Sequence, residues 1–168
     1  MNNVHYSSLS NFWETPNWLF NLLNQEFNFD FDAAANKENT KLSNFISEEQ
    51  DSLIQDWSKF GKTAFLNPPY GRLIGKFVKK AYEESFNGIT TVLLIPSRTD
   101  TKWFFDYCSK GQIRFIKGRL KFVNKSFPSY RENGDFKISP APFPSCIVIF
   151  KKDMIPEIKW IDYKEYKI

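Results

Sequence analysis

Apolar positions along this chain fall into two rhythms. Trp18, Leu19, Leu22, Leu23 and Phe27 recur at helical spacing behind Thr15-Pro16, where Thr15 reads as an N-cap and Pro16 as the first helical residue. Ile74, Phe77, Val78, Ala81, Tyr82 and Ser85 form a second helical stripe. Lys76, Lys79, Lys80, Glu83 and Glu84 lie off it, and Asn87-Gly88 ends it. The other rhythm has period two or none. Asn28–Asp32 alternates and predicts a short strand running into Ala33–Ala35. Thr63–Leu66 predicts a strand that stops at Asn67-Pro68. Ile89–Ile95 is a run dominated by β-branched residues, a buried strand stopped by Pro96. Asp100 is placed to cap a helix carrying Trp103, Phe104, Tyr107 and Cys108 up to Gly111. Gln112–Lys117 and Cys146–Phe150 predict two more strands around a turn-rich loop at 124–144. Residues 36–60 show no clear period.

Strands alternating with helices predict an α/β fold, a mostly parallel central sheet with helices on both faces. A length of 168 residues suits one domain. Ligands of such sheets bind beyond the carboxyl ends of the strands. Three unusual segments fall at such ends: Asp32–Ala35, Asn67–Tyr70 and Pro96–Arg98.

Charge sharpens this picture. Residues 1–60 hold 3 basic and 9 acidic side chains, whereas 61–168 hold 20 basic and 10 acidic. A basic half fits a polyanion partner, and equally a solvated surface. One His (His5) and two Cys (Cys108, Cys146) leave no ligand set for a structural zinc, so no metal is expected. Two Cys suit a reducing interior rather than a disulfide framework. No apolar run is long enough to span a bilayer, so no membrane partner is expected, and Met1–Ser10 lacks the features of a signal peptide. The 18 Phe exceed ordinary usage, and most read as core.

Asn67-Pro68-Pro69-Tyr70 carries the chemistry. As a bare string it is also a Pro-rich turn. Between a strand and a helix it does more. Pro68 holds Asn67 extended, and Pro69 does the same to Pro68. The loop is stiff and offers the Asn67 side-chain oxygen and the Pro68 carbonyl as acceptors for one amino group. Tyr70 adds a flat face for a planar base. An exocyclic amine such as adenine N6 is a poor nucleophile because its lone pair is delocalised. Two acceptors out of the ring plane pull that nitrogen toward tetrahedral geometry and stabilise the charge that develops on attack.

On these residues the chain resembles a known family. Asn67–Tyr70 is similar to the catalytic loop of S-adenosylmethionine-dependent amino-methyltransferases. Trp13–Pro16, Phe31–Ala35, Asp51–Leu53, Pro96–Thr101, Gly118–Phe122 and Ala141–Ser145 occur in the order seen in phage-type, Dam-like DNA adenine N6-methyltransferases. The resemblance covers about residues 12–150. It implies a Rossmann-like class I methyltransferase fold with an antiparallel last strand. It also implies a single methyltransferase domain over 1–168, with a core at about 12–150 and a C-terminal extension at 151–168.

The family's roles carry over residue by residue. Asn67, Pro68, Pro69 and Tyr70 would be catalytic. Thr15, Pro16, Asp32, Ala33, Ala34 and Asp51 would hold S-adenosyl-L-methionine. Ala33–Ala35 stands where most methyltransferases have a glycine-rich loop, and it also reads as plain helix-start packing. Asp51 also reads as a solvated acid. Phe122 would sandwich the target base opposite Tyr70, or is a core Phe. Arg72, Arg98, Arg119, Lys121 and Arg131 would contact DNA. Apart from the family's roles, the long basic loop at 124–144, with Ser126, Tyr130, Arg131 and Lys137, is a candidate for reading DNA sequence, or a plain connection between the last strands. The expected partner is double-stranded DNA, and the expected place is the cytoplasm of a bacterial host, from a phage or prophage gene. Two alternatives stand beside this: methylation of RNA adenine or protein glutamine, and a catalytically inactive nucleic-acid-binding module.

Overall fold

The computed structural model describes residues 13–122, 140–162 and 165. Arg131, Ser126, Tyr130, Lys137 and His5 lie outside the described residues. Strands β1 (Phe31–Asp32), β2 (Thr63–Leu66), β3 (Thr90–Pro96), β4 (Gln112–Ile116), β5 (Ser145–Phe150) and β6 (Glu157–Ile161) form one sheet in the order β1-β2-β3-β5-β4-β6. β1, β2 and β3 pair in parallel, and so do β4 and β6. β5 runs antiparallel to both its neighbours, β3 and β4. The antiparallel strand expected at the end of the chain is therefore the penultimate one. The extension after residue 150 supplies a further strand, β6, that lies parallel to β4.

Three helices, α1 (Asn17–Phe27), α2 (Ile74–Phe86) and α3 (Lys102–Asp106), complete the fold. Among the described residues no helix is long and apolar enough to cross a membrane. Alternation along the strands separates the faces of the sheet. Phe65 of β2 packs edge-on against Phe20 of α1 at 5.2 Å, and Arg114 of β4 forms a two-bond pair with Glu26 of α1. Thr91 of β3 points the other way and donates to the Ala81 carbonyl of α2. Beside it, Phe150 of β5 meets Tyr82 of α2 at 5.4 Å. Helices thus cover both faces. The core runs between these layers, with Phe31, Phe65, Leu66, Leu93, Leu94, Ile95, Ile147 and Val148 at or near zero exposure. Each such side chain contributes roughly 2 kcal/mol of burial.

Helix ends follow local chemistry. Pro16 sits at the N-cap of α1 in an extended conformation, and its carbonyl accepts from the Leu19 and Phe20 N–H groups at 3.1 Å. Thr15 is not the cap, because its hydroxyl is engaged elsewhere. Asn28, in the left-handed region at φ 50°, closes α1 by donating to the Asn24 carbonyl. Gly88, at φ 86°, supplies the turn after α2. α3 is shorter than its apolar spacing predicts. It stops at Asp106 and gives way to a 3-10 turn at Cys108–Lys110, and its N-cap is Thr101 rather than Asp100. Gly111 follows because β4 starts hard against β5: a Cβ there would lie 2.4 Å from the Ile149 carbonyl oxygen.

Candidate functional site

Parallel strands bring their carboxyl ends to one side of the sheet. Asp32 ends β1, Asn67 follows β2, Ser97 and Arg98 follow β3, and Arg119–Phe122 follow β4. β5 runs the other way, so its first residue, Ser145, pairs with Pro96 at this same end. Segments far apart in the chain therefore meet here. Trp13 and Thr15 join them from before α1.

Asn67 is the best-defined element. Its amide nitrogen donates to the Trp13 carbonyl at 2.6 Å and to the Thr15 hydroxyl at 3.0 Å. A carbonyl only accepts, so the Trp13 contact fixes which end of the amide is nitrogen. Both amide hydrogens are engaged. The oxygen Oδ1 is left turned the other way, buried and without a hydrogen-bond partner. Such an acceptor costs about 1–3 kcal/mol unless something donates to it. Asn67 as a whole is half-buried, Pro68 is buried, and Pro69 is half-buried.

Tyr70 is 5% exposed, and its hydroxyl donates to the Leu94 carbonyl of β3 at 3.1 Å. Burial raises its pKa well above the ordinary phenol value. It does not present a bare face. Tyr70, Phe122, Phe143 and Trp13 form one cluster with centroids 5.2–6.1 Å apart. Tyr70 and Phe122 meet at an interplanar angle of 88°, edge to face. The structure brings these two rings together, but not as the parallel walls of a sandwich. Edge-to-face packing satisfies their quadrupoles directly.

Asp32 is 3% exposed at the end of β1. Its carboxylate accepts from the Ala34 N–H at 3.3 Å. Burial pushes its pKa up to about 7, against the opposing pull of the Ala34 and Lys41 backbone and the Lys41 charge. Lys41 Nζ binds Glu14 at 2.9 Å and Asn17 at 2.8 Å, so it ties the segment before α1 to the loop after β1. Ala33 and Ala35 are buried and Ala34 is half-buried. Thr15 and Pro16 are buried. Asp51 stands apart: it is exposed, at φ 53°, and accepts from the Leu53 N–H within its own turn.

Arg72, Arg98, Arg119 and Lys121 are all exposed in the loops that follow β2, β3 and β4. Trp13, Phe143 and Lys41 have no role that the sequence pattern assigns. The first two stand inside the matching segments, but the signal of each is a single aromatic among many. Lys41 lies in the stretch without period.

A mixed α/β sheet flanked by helices, with Asn67 at the carboxyl end of β2, is compatible with a methyltransferase fold. The model of the DNA N-6-adenine-methyltransferase (Dam) family matches residues 4–165, nearly the whole chain, and the chain belongs to that family. A DNA N-6-adenine-methyltransferase of Haemophilus phage HP1 is 38% identical over 118 residues, covering 67% of this chain and 66% of that protein. One of Escherichia phage T1 is 38% identical over 93 residues, covering 55% of this chain and 38% of that protein. The matched stretch thus spans less than two thirds of either relative.

Proposed function

We propose that this chain methylates adenine N6 in double-stranded DNA, with S-adenosylmethionine as the methyl donor and the target base flipped out of the helix. The observation that carries the reading is Asn67 Oδ1, a buried acceptor with no donor, held by two hydrogen bonds on the other end of its amide. An adenine amino group is the missing donor. With the Pro68 carbonyl as second acceptor, Asn67 draws the N6 hydrogens out of the ring plane. The lone pair is then free to attack, and the charge that develops is met by oxygen dipoles already in place. The surplus proton leaves to solvent after transfer, so a strong general base is not required.

The residues at the end of β1 fit the donor. Asp32 offers a buried carboxyl to a cationic or hydroxyl-bearing ligand, and Ala33 and Ala34 are small enough for close approach. Thr15, which accepts from the Asn67 amide, and the buried Pro16 beside it are further proposed cofactor contacts, and the exposed Asp51 is another. When bound, S-adenosylmethionine supplies an electrophilic methyl group on a sulfonium whose departure needs no acid. A flipped base reaches Tyr70 only where Phe122 or Phe143 gives way, so rearrangement of the aromatic cluster accompanies base entry. Arg72, Arg98, Arg119 and Lys121 then hold phosphates on either side. We read the chain as one Rossmann-like methyltransferase domain acting in the cytoplasm of a bacterial host on behalf of a phage or prophage.

Labelled S-adenosylmethionine, duplex DNA of mixed sequence and the purified chain should give N6-methyladenine. Asn67→Ala should lower kcat by roughly 10²–10³. RNA and glutamine-bearing peptides serve as the comparison acceptors. Unchanged turnover in the variant, or a preference for either comparison acceptor over DNA, would overturn the reading.

A further inference from the structure

The two edges of the sheet are treated differently. At one, Asp32 of β1 bridges Phe45, and the Asn44 carbonyl and Ile46 N–H complete the cover. At the other, β6 is the last strand, with no described residue paired to its outer side. Ile158 is 64% exposed and Trp160 74%, and Ile155 just before the strand is 83% exposed. Trp160 packs against the ring of Phe115 of β4, at 5.2 Å. A free edge carrying large apolar side chains is the arrangement that monomeric proteins avoid.

We propose that β6 is a self-association edge, pairing antiparallel with β6 of a second copy of this chain across a twofold axis at Ile158. The backbone sets which residues face outward. The Glu157 N–H donates to the Gly111 carbonyl and the Ile161 carbonyl accepts from Lys117, so the odd-numbered residues bond to β4. Ile158 and Trp160 therefore turn their N–H and C=O groups to the free edge. Three antiparallel registers match these outward groups around the strand centre. An axis at Glu157 sets that carboxylate against its own copy, and an axis at Lys159 sets two ammonium groups together. Only the axis at Ile158 puts Glu157 opposite Lys159 of the second copy, and does so twice.

The same register suits the other side chains. Ile158 exchanges both backbone hydrogen bonds with Ile158 of the second copy. The Trp160 N–H reaches the Pro156 carbonyl opposite it. Pro156 has no N–H, so its place at the end of the ladder loses only the outermost bond. On one face of the joined sheet the apolar row Pro156, Ile158, Trp160 meets its inverted copy. On the other face Glu157 and Lys159, both about half exposed and already paired within the chain at 3.0 Å, form a four-membered charge cluster across the axis. The two six-stranded sheets become one continuous sheet.

Sedimentation of the full chain across the micromolar range should show a species of twice 19.8 kDa. Lys159→Glu and Glu157→Lys should each remove it, because each places like charges across the axis. Lys159 also faces Glu26, and Glu157 accepts from Gln112 at 2.7 Å, so circular dichroism must show each variant folded. An equimolar mixture of the two folded variants should restore the double mass, since the two acidic positions of one chain then face the two basic positions of the other. The variant carrying both exchanges should also dimerise alone. A wild-type chain that stays at single mass throughout, single variants that dimerise as well as wild type, or a mixture that remains monomeric would each overturn the proposal. None of these readouts depends on methyl transfer.

Discussion

Asn67 is held by a hydroxyl as well as a carbonyl, and the two can be separated by mutation. Thr15→Val keeps the shape of the side chain and removes the acceptor at 3.0 Å from the Asn67 nitrogen. The amide then hangs from Trp13 alone. Loss of one such hydrogen bond is worth about 1 kcal/mol, so kcat should fall roughly fivefold to tenfold, with Thr15→Ser retaining most activity. A contact to the cofactor alone would instead show mainly in the KM for S-adenosylmethionine. Asp32 gives a pH signature. Its pKa in the fold is about 7, raised first of all by burial, while an unfolded carboxyl ionises near ~3.9. The unfolded chain therefore ionises first, and the group lowers stability progressively as pH rises from about 4 to about 7. Asp32→Asn should stabilise the fold at pH 8, by up to about 4 kcal/mol for a shift of roughly three pKa units, and change it little at pH 4, read as the melting temperature at each pH. If the proposed cofactor pairs with the ionised form, its binding releases a proton below pH 7. Calorimetry should then show affinity rising from pH 6 to pH 8, and a flat profile in Asp32→Asn. A flat profile in the wild type would remove Asp32 from the cofactor site.

At the scale of elements, local pattern decides wherever an element buries one face by its own period. The stripes of α1 and α2, the strand Thr63–Leu66 and the buried run ending at Pro96 are legible for that reason. Three features are not legible, each because a distant partner sets it. Glu84 looks like a solvent position, yet it is 3% exposed because Lys80 reaches it at 2.6 Å and Asn87 at 3.3 Å. Thr15 looks like a helix cap, yet its hydroxyl serves Asn67, 52 residues away. β6 alternates charged and apolar residues as a strand should, but its exposed edge and its place after the last buried strand make it read as an extension. The site is legible in the same uneven way. The segment Asn67–Tyr70 stands out in the sequence and falls at the carboxyl end of β2, while the orientation of the Asn67 amide depends on a backbone carbonyl that no motif encodes. Strand contacts also set the tolerance of Gly111. Gly111→Ala would drive a methyl group to 2.4 Å from the Ile149 oxygen, a backbone atom that β5 holds in place. The substitution should destabilise the fold by about 1–3 kcal/mol, read as a lower urea midpoint with unchanged slope. An unchanged midpoint would mean that β4 and β5 are less firmly joined than their ladder indicates.

The whole molecule is polar in its charge. The first 60 residues are acidic and the rest basic, and four of the basic side chains, Arg72, Arg98, Arg119 and Lys121, stand exposed in loops following β2, β3 and β4. The acidic share is partly internal: Glu14 pairs with Lys41 and Glu26 with Arg114, so those carboxylates do not repel an approaching polyanion as bare charges would. If the four cations each neutralise a phosphate, DNA binding must displace condensed counterions, and the logarithm of the affinity should fall against the logarithm of salt with a slope of about −3 to −4. Between 50 and 200 mM salt that is on the order of a hundredfold loss. Arg119→Gln should make the slope shallower by about 1 and weaken binding alike on every sequence, because a phosphate contact carries no base information. Lys152→Gln, beyond β5 at the opposite end of the sheet, should leave the slope unchanged. The comparison separates a localised footprint from the attraction of net charge, which would respond equally to either substitution. Equal responses would move the DNA-binding surface away from the carboxyl end of the sheet, and with it the route by which a flipped base reaches Asn67.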